Sequence, residues 1–356
     1  MPDEPIDVSG LGACPIPISD YPRIVLAHGG GGTLSRMLAD DMFRAAFDNP
    51  LLDPLHDGAV LAAGGTRFAF TTDAFVVSPL FFPGGDIGSL AVHGTINDLA
   101  MCGARPLALA AAFVIEEGFA MEDLWRITRS MRTAADEAGR VPIATGDTKV
   151  VDHGKGDGVY ITTTGIGIIP PGISSDPQDI RPGDRVLING TIADHGIAIM
   201  SVREGLEFDT AVVSDSAPLH DLVATMTEAG GAGIRVMRDP TRGGVASALN
   251  ELVAGGGSGI RLEEQAIPVR PEVQAACEIL GFDPLYVANE GKVIAIVAPE
   301  AADDVLEAMR GHPLGRDAAD IGEAVADRPG RVVLRSRVGG MRIVDMLSGE
   351  QLPRIC

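Results

Sequence analysis

Residues 87–102 read Ile-Gly-Ser-Leu-Ala-Val-His-Gly-Thr-Ile-Asn-Asp-Leu-Ala-Met-Cys. Leu90, Ile96, Leu99 and Met101 specify a helix, and the same helix carries Asn97 and Asp98. A carboxylate on a largely apolar helix costs free energy unless it is hydrogen-bonded, paired or metal-bound, so Asp98 demands partners from elsewhere. Taken alone it reads most simply as a capping or hydrogen-bonding acid. Its neighbours in sequence supply more acids than capping requires.

On the N-terminal side, His56-Asp57-Gly58-Ala59-Val60-Leu61 turns into a strand, and residues 67–73 form a second strand ending on Asp73. On the C-terminal side, 107–115 reads as a buried strand, 121–139 as an amphipathic helix and 141–144 as a short strand. The short strand opens into Thr145-Gly146-Asp147-Thr148-Lys149, an acid and a base in a loop at a strand end, the usual seat of ligand groups in α/β folds. A strand over 159–169 follows. Upstream, residues 23–27 read as a strand, His28-Gly29-Gly30-Gly31-Gly32-Thr33 as a glycine loop and 34–47 as a helix. Bare amides and a helix N-terminus there form an anion site. It is neither a Walker A loop nor a dinucleotide fingerprint.

Pro170-Pro171-Gly172 and the polar run to Asp184 read as a linker. The second half alternates strands (185–189, 293–298, 321–326, 331–335) with helices (196–204, 218–229, 243–254, 299–311), an α/β pattern. Arg238-Asp239-Pro240-Thr241-Arg242 precedes one helix and Asn289-Glu290-Gly291-Lys292 precedes one strand. The chain of 356 residues is long enough for two cored domains. We divide it into a mobile extension over 1–20, an N-terminal domain over 21–173, a C-terminal domain over 174–338 and a mobile tail over 339–356.

The net charge of −21 repels nucleic acid and anionic membrane, so a phosphate ligand has to be held locally by amides, a few basic side chains and a carboxylate-bound divalent cation. No leader or bilayer-length apolar run is apparent, and four scattered cysteines fit a reducing compartment; the expectation is a cytoplasmic protein. The last residue is Cys356. Prenylation fails, because the cysteine has to stand fourth from the end, where Pro353 is. Metal binding lacks a CxxC partner. A frayed end, an intermolecular disulfide, chance and a tethered reactive thiol remain. Fully extended, 341–356 reaches roughly 50 Å, with Gly339-Gly340 as hinge.

The set HGGGG, HDGAV, TTD, INDLAMCGARP, TGDTKV, DPTRGG, NEGK and terminal PRIC, spanning about 21–356, resembles the HypE family of hydrogenase maturation proteins. That family lies within the aminoimidazole ribonucleotide synthetase and selenophosphate synthetase superfamily. HGGGG stands where the family usually has HGSGG, and Asp57-Gly58-Ala59-Val60 where it has Asp-Ala-Ala-Val. The resemblance implies a two-domain α+β fold and a homodimer pairing its N-terminal sheets. ATP would lie on Gly29, Gly30, Gly31, Gly32, Thr145, Gly146 and Asp147, with Mg²⁺ among Asp57, Asp73, Asp98 and Asp239. It further implies that a carbamoyltransferase loads Cys356 and that ATP drives dehydration of the carbamoyl group to a thiocyanate. Scaffold proteins would then receive the cyanide on iron. Lys149 would orient the carbamoyl group or stabilise the developing charge, Glu290 would accept a proton and Arg242 would assist phosphoryl transfer; His28, His93 and His195 rank below the acids. Two other readings stand beside it: a synthetase acting on a free substrate such as selenide, for which Cys14 lacks the expected context, and a non-catalytic carrier of iron or cyanide.

Overall fold

A computed structural model of the protein describes residues 23–54, 56–206, 212–349, 352 and 354–356; the expected extension over 1–20, Cys14 and Pro353 lie outside them. The first sheet holds β1 (Ala59–Ala63), β2 (Thr66–Phe75), β3 (Arg105–Glu116), β4 (Ile143–Val151) and β5 (Val159–Ile169), in the order β1-β2-β5-β3-β4. The helix read from the opening stretch, α1 (Ile87–Met101), lies across it against β2 and β5. Of its fifteen residues only Ser89 and Asp98 escape full burial. A helix apolar all round has to be covered all round, and α2 (Met121–Glu137) covers another side. This α2 is also the crossover that lets β3 and β4 pair in parallel. Asp86 starts α1, accepting from the amides of Gly88 and Ser89 at 2.7 and 3.1 Å, while Ser89 Oγ takes the amide of Asp86 at 3.1 Å.

The second sheet holds β6 (Arg185–Ile188), β7 (Ile234–Arg238), β8 (Gly259–Glu263), β9 (Ile294–Val297), β10 (Ala319–Val325), β11 (Val332–Arg335) and β12 (Met341–Ile343), in the order β12-β11-β8-β10-β6-β9-β7. The unbroken apolar run of β9 predicts cover on both faces. Ile294 and Ile296 face Leu249 and Leu252 of α5 (Gly244–Val253), whereas Ala295 and Val297 face Leu222 of α4 (His220–Gly230) and Val305 of α7 (Pro299–Gly311). The short α3 (Asp194–Arg203) packs with α6 (Pro271–Leu280) and with the chain terminus. No helix among the described residues is long and apolar enough to cross a membrane.

Several expectations need correction. Residues 23–27 are not a strand: Leu26–Gly29 is a 3₁₀ turn, closed because His28 Nδ1 accepts the amide of Val25 at 3.1 Å. Thr145–Lys149 is no loop but the middle of β4, an edge strand exposed along nearly its whole length. Strands β7, β8 and β12 and helix α6 were not foreseen. Gly339-Gly340 closes the hairpin between β11 and β12, with the amide of Ser336 donating to Gly340 O at 2.7 Å, so it is not a free hinge. Beyond β12 the chain stays pinned. Asn250 Nδ2 donates to Val344 O at 2.9 Å, and Leu347 O accepts from the amide of Thr33 at 2.9 Å and from its hydroxyl at 3.2 Å. These bonds fix the chain as far as Leu347.

Gly32 owes its identity to this pin: a Cβ there would lie 2.2 Å from Leu347 O. Gly32→Ala should release residues 341–347. Hydrogen exchange there should accelerate, and stability should fall by about 1–3 kcal/mol, the usual cost of overpacking. Unchanged exchange would show the steric argument wrong.

Candidate active site

Asp57 stands in the turn before β1, Asp98 near the end of α1 and Asp239 just past β7, so three separate elements aim acids at one point. One oxygen from each lies within 4.8 Å of the others. Asp73 on β2 lines the same cleft, a cavity of about 230 Å³. Asp57 Oδ1 meets Arg238 Nε at 3.0 Å, yet its Oδ2 is buried without a hydrogen-bond partner. Thr71 Oγ1 donates to Asp98 Oδ2 at 2.7 Å. Burial pushes Asp57 up to about 6, and burial together with the neighbouring acids pushes Asp98 and Asp239 well above the usual carboxylate range. An all-oxygen set with an orphaned buried oxygen suits a hard divalent cation.

A larger cavity of about 500 Å³ adjoins this cleft, the two sharing Gly31, Arg238, Arg242 and Glu251. Gly31 and Gly32 line it, while Gly29 contributes a carbonyl to Arg242 Nη1 at 2.9 Å. Gly31 has φ +72, and a Cβ on it would lie 2.4 Å from Arg242 Cβ, so the glycine loop lies directly against the Arg242 turn.

The chain terminus is buried. Cys356 is 9% exposed, and its thiol is raised above the ordinary range by burial, with Glu290, Asp73 and Asp239 adding to the shift and Arg242 opposing it. Docked, the thiol is protonated. Glu290 is buried, its Oε1 has no hydrogen-bond partner, and burial first and then Asp239, Asp215 and Asp73 raise its carboxyl well above normal. Its backbone is held on both sides: the amide donates to Asp215 Oδ1 at 3.1 Å and the carbonyl accepts from Asn97 Nδ2 at 2.9 Å. Asp215 in turn pairs with Lys292 at 2.9 Å. Asn97 of the opening stretch thus ties α1 to the glutamate beside the thiol.

Other candidates fall elsewhere. Thr145, Gly146, Asp147 and Lys149 sit on the exposed edge of β4 and line neither cavity; Lys149 Nζ pairs with Asp147 at 2.6 Å. His93 is a buried hydrogen-bonder, 3.0 Å from Ser216 Oγ, and His28 closes its own turn. His195, ranked low from sequence, touches the tail. Asp215 and Arg203 were missed; Asp215 carries no motif, and Arg203 stands in an ordinary helical pattern.

Residues 55–169 match the family described as AIR synthase related protein, N-terminal domain, and residues 181–335 match the AIR synthase related protein, C-terminal domain; the chain has the two-domain fold of that class. Over 335 residues, 94% of this chain and 95% of the relative, the sequence is 61% identical to "Carbamoyl dehydratase HypE" of Cupriavidus necator. A solved HypE–HypF complex contains a chain 48% identical, with TM-score 0.82, matching 87% of this chain and 99% of that one. A solved HypE in complex with ATP is 47% identical, with TM-score 0.79, matching 94% and 100%. The chain belongs to the HypE family of AIR synthase related proteins.

The crowded acids make a stability prediction with a definite sign. A carboxyl whose folded pKa is raised stabilises the fold below its unfolded pKa, and that contribution is lost as pH rises through the folded value, about 6 for Asp57. In chelator, Asp98→Asn should therefore be more stable than the parent at pH 7.5, by about 1–3 kcal/mol. The gain should shrink as pH falls towards 4, which thermal melts across that range would measure. A less stable variant at pH 7.5 would refute the reading.

Proposed function

We propose that this chain is an ATP-dependent carbamoyl dehydratase that acts on a carbamoyl group carried by its own Cys356, as a step in hydrogenase maturation. The observation that carries the reading is the buried seat of Cys356, its carbonyl held by the amide of Val76 and its thiol within electrostatic reach of Arg242, Glu290 and the cleft acids Asp73 and Asp239. Family membership at this level of identity supports the activity, and the ATP complex of a relative supports the co-substrate.

The reaction balances as Cys–S–C(=O)NH₂ plus ATP giving Cys–S–C≡N, ADP and phosphate. The carbamoyl oxygen attacks the γ-phosphorus, which turns a poor leaving group into phosphate. Loss of both nitrogen protons, with cleavage of the carbon–oxygen bond, then forms the triple bond. Glu290 is the proton acceptor: buried and unpartnered at Oε1, it is a strong base once ionised. Arg242, between the glycine loop and the thiol, orients the transferring phosphoryl group. Mg²⁺ on Asp57, Asp98 and Asp239, with Asp73 beside them, supplies charge neutralisation when bound. The larger cavity beside Gly31 and Gly32 takes the nucleotide.

Lys149 fits this scheme through a homodimer. It lies on an exposed edge strand, and a second copy pairing its sheet there, with Thr145, Gly146 and Asp147, would bring it to a neighbouring site. The loading partner is a HypF-type carbamoyltransferase, in keeping with the complex formed by a relative. Scaffold proteins that take cyanide on iron, in the cytoplasm, complete the proposed cycle.

Intact mass tests it. With carbamoyl phosphate, the carbamoyltransferase, ATP and magnesium, Cys356 should gain a carbamoyl group and then lose 18 Da, the mass of one water, in an ATP-dependent step. Cys356→Ala forming the same product would refute the tethered substrate. Glu290→Gln should accumulate the carbamoylated form with ATP still bound, slowed by about a hundredfold or more; parental turnover would remove Glu290 from the mechanism.

A further inference from the structure

The last three residues are held by their backbone, and by a specific set of groups. The amides of Val76 and Ser78 donate to Cys356 O at 3.0 Å and Arg354 O at 3.1 Å, so the terminus adds a short antiparallel stretch beyond the end of β2. Between these two bonds lies Ile355 O, which His195 Nε2 meets at 2.8 Å. Arg203, at the end of α3, donates to both Ser78 O and Arg354 O, bridging the two strands. Arg354 returns the contact, with Nε on Val76 O at 3.0 Å and a guanidinium pair to Asp157. Every carbonyl of the final three residues therefore has a donor.

The state of His195 follows from its partners. A carbonyl accepts only, so Nε2 carries the proton. Burial keeps the ring neutral, leaving Nδ1 to accept from Ser214 Oγ at 2.8 Å, and Ser214 Oγ in turn takes the amide of Ser216 at 3.1 Å. Phe82 packs against the ring with the two planes at 90° and centroids 5.6 Å apart, which restrains its orientation. The imidazole is thus locked in one tautomer and one orientation, aimed at the tail.

We propose that His195 and Arg203 are positioning residues, forming a dock that reads the carbonyls of Ile355 and Arg354 and sets the S-carbamoyl group against Glu290 and Arg242. The inference rests on the carbamoyl dehydratase reading. Because the dock binds main chain, it holds the tail in place whether the thiol is free, carbamoylated or cyanated. It also has an opposing consequence for loading. A docked thiol is 9% exposed and protonated, out of reach of another enzyme, so carbamoylation requires the tail undocked. Weakening the dock shifts the population outward, which favours loading and penalises dehydration.

The test measures both steps by intact mass on the full chain, for the parent, His195→Ala, His195→Gln and Arg203→Met. Loading by the carbamoyltransferase should be unchanged or faster in His195→Ala and Arg203→Met. Single-turnover dehydration should fall about ten- to a hundredfold, the scale of one buried or charge-assisted hydrogen bond. His195→Gln, which restores a donor near the Nε2 position, should recover most of the rate. Should His195→Ala fail to fold, Arg203→Met, at the partly exposed end of α3, carries the test alone. Dehydration at the parental rate in Arg203→Met and His195→Ala overturns the proposal, as does a parallel loss of both steps that Gln does not restore. If the parent itself never loses water with ATP, the dehydratase reading fails instead.

Discussion

Three carboxylates forced together in a buried cleft are the constraint to which the rest of the structure answers. Their mutual repulsion and desolvation work against folding, and the cost is met by packing far from the cleft. Asp57 precedes the first strand of the first sheet, Asp98 lies on α1 and Asp239 follows a strand of the second sheet. The acids can converge only if those elements are locked together. Asn97 provides one lock, donating to the carbonyls of Glu290 and Ala217 and accepting the amide of Leu219 at 2.8 Å. Arg238 provides another, paired with Asp57 across the two sheets. What makes the cleft costly also makes it receptive, since a cation relieves a repulsion the fold already bears.

The same logic distinguishes the residues of the site. Burial first, and then the shared acids Asp239 and Asp73, raise both the Glu290 carboxyl and the Cys356 thiol. Arg242 opposes both shifts. Arg238 and Arg242 line both cavities, and Arg238 is itself paired with Asp57 and Glu251. The polarity of the site is set by which residues the turn 238–242 places in succession.

Much of this was legible in the sequence where residue type and chemistry coincide. An acid on an apolar helix needed partners, and the fold brings Asp57 and Asp239 to within 4.8 Å of it; the helix itself, the strand 159–169 and the helix 299–311 lie where periodicity placed them. The misreadings share a physical cause. Residues 23–27 have strand composition but no sheet edge to join, and a single histidine turns them. The Thr145–Lys149 stretch looks like a loop because it is polar, but an edge strand open to solvent has no need of apolar residues. The tail was misjudged because its anchors are backbone carbonyls, at Val344, Leu347, Arg354 and Ile355, and main-chain bonding leaves no mark in side-chain identity. His195 was undervalued for the same reason: its partner is a peptide group.

The pin at Leu347 leaves nine residues, 348–356, to carry the thiol. Such an arm spans at most about 30 Å. A reactive group tethered on so short a lead samples its own cleft at a local concentration in the millimolar range. At micromolar protein, a thiol from another molecule cannot compete for that cleft. On the proposed reading each chain would process its own cargo, and while the proposed homodimer holds together dilution would leave the rate of the chemical step untouched.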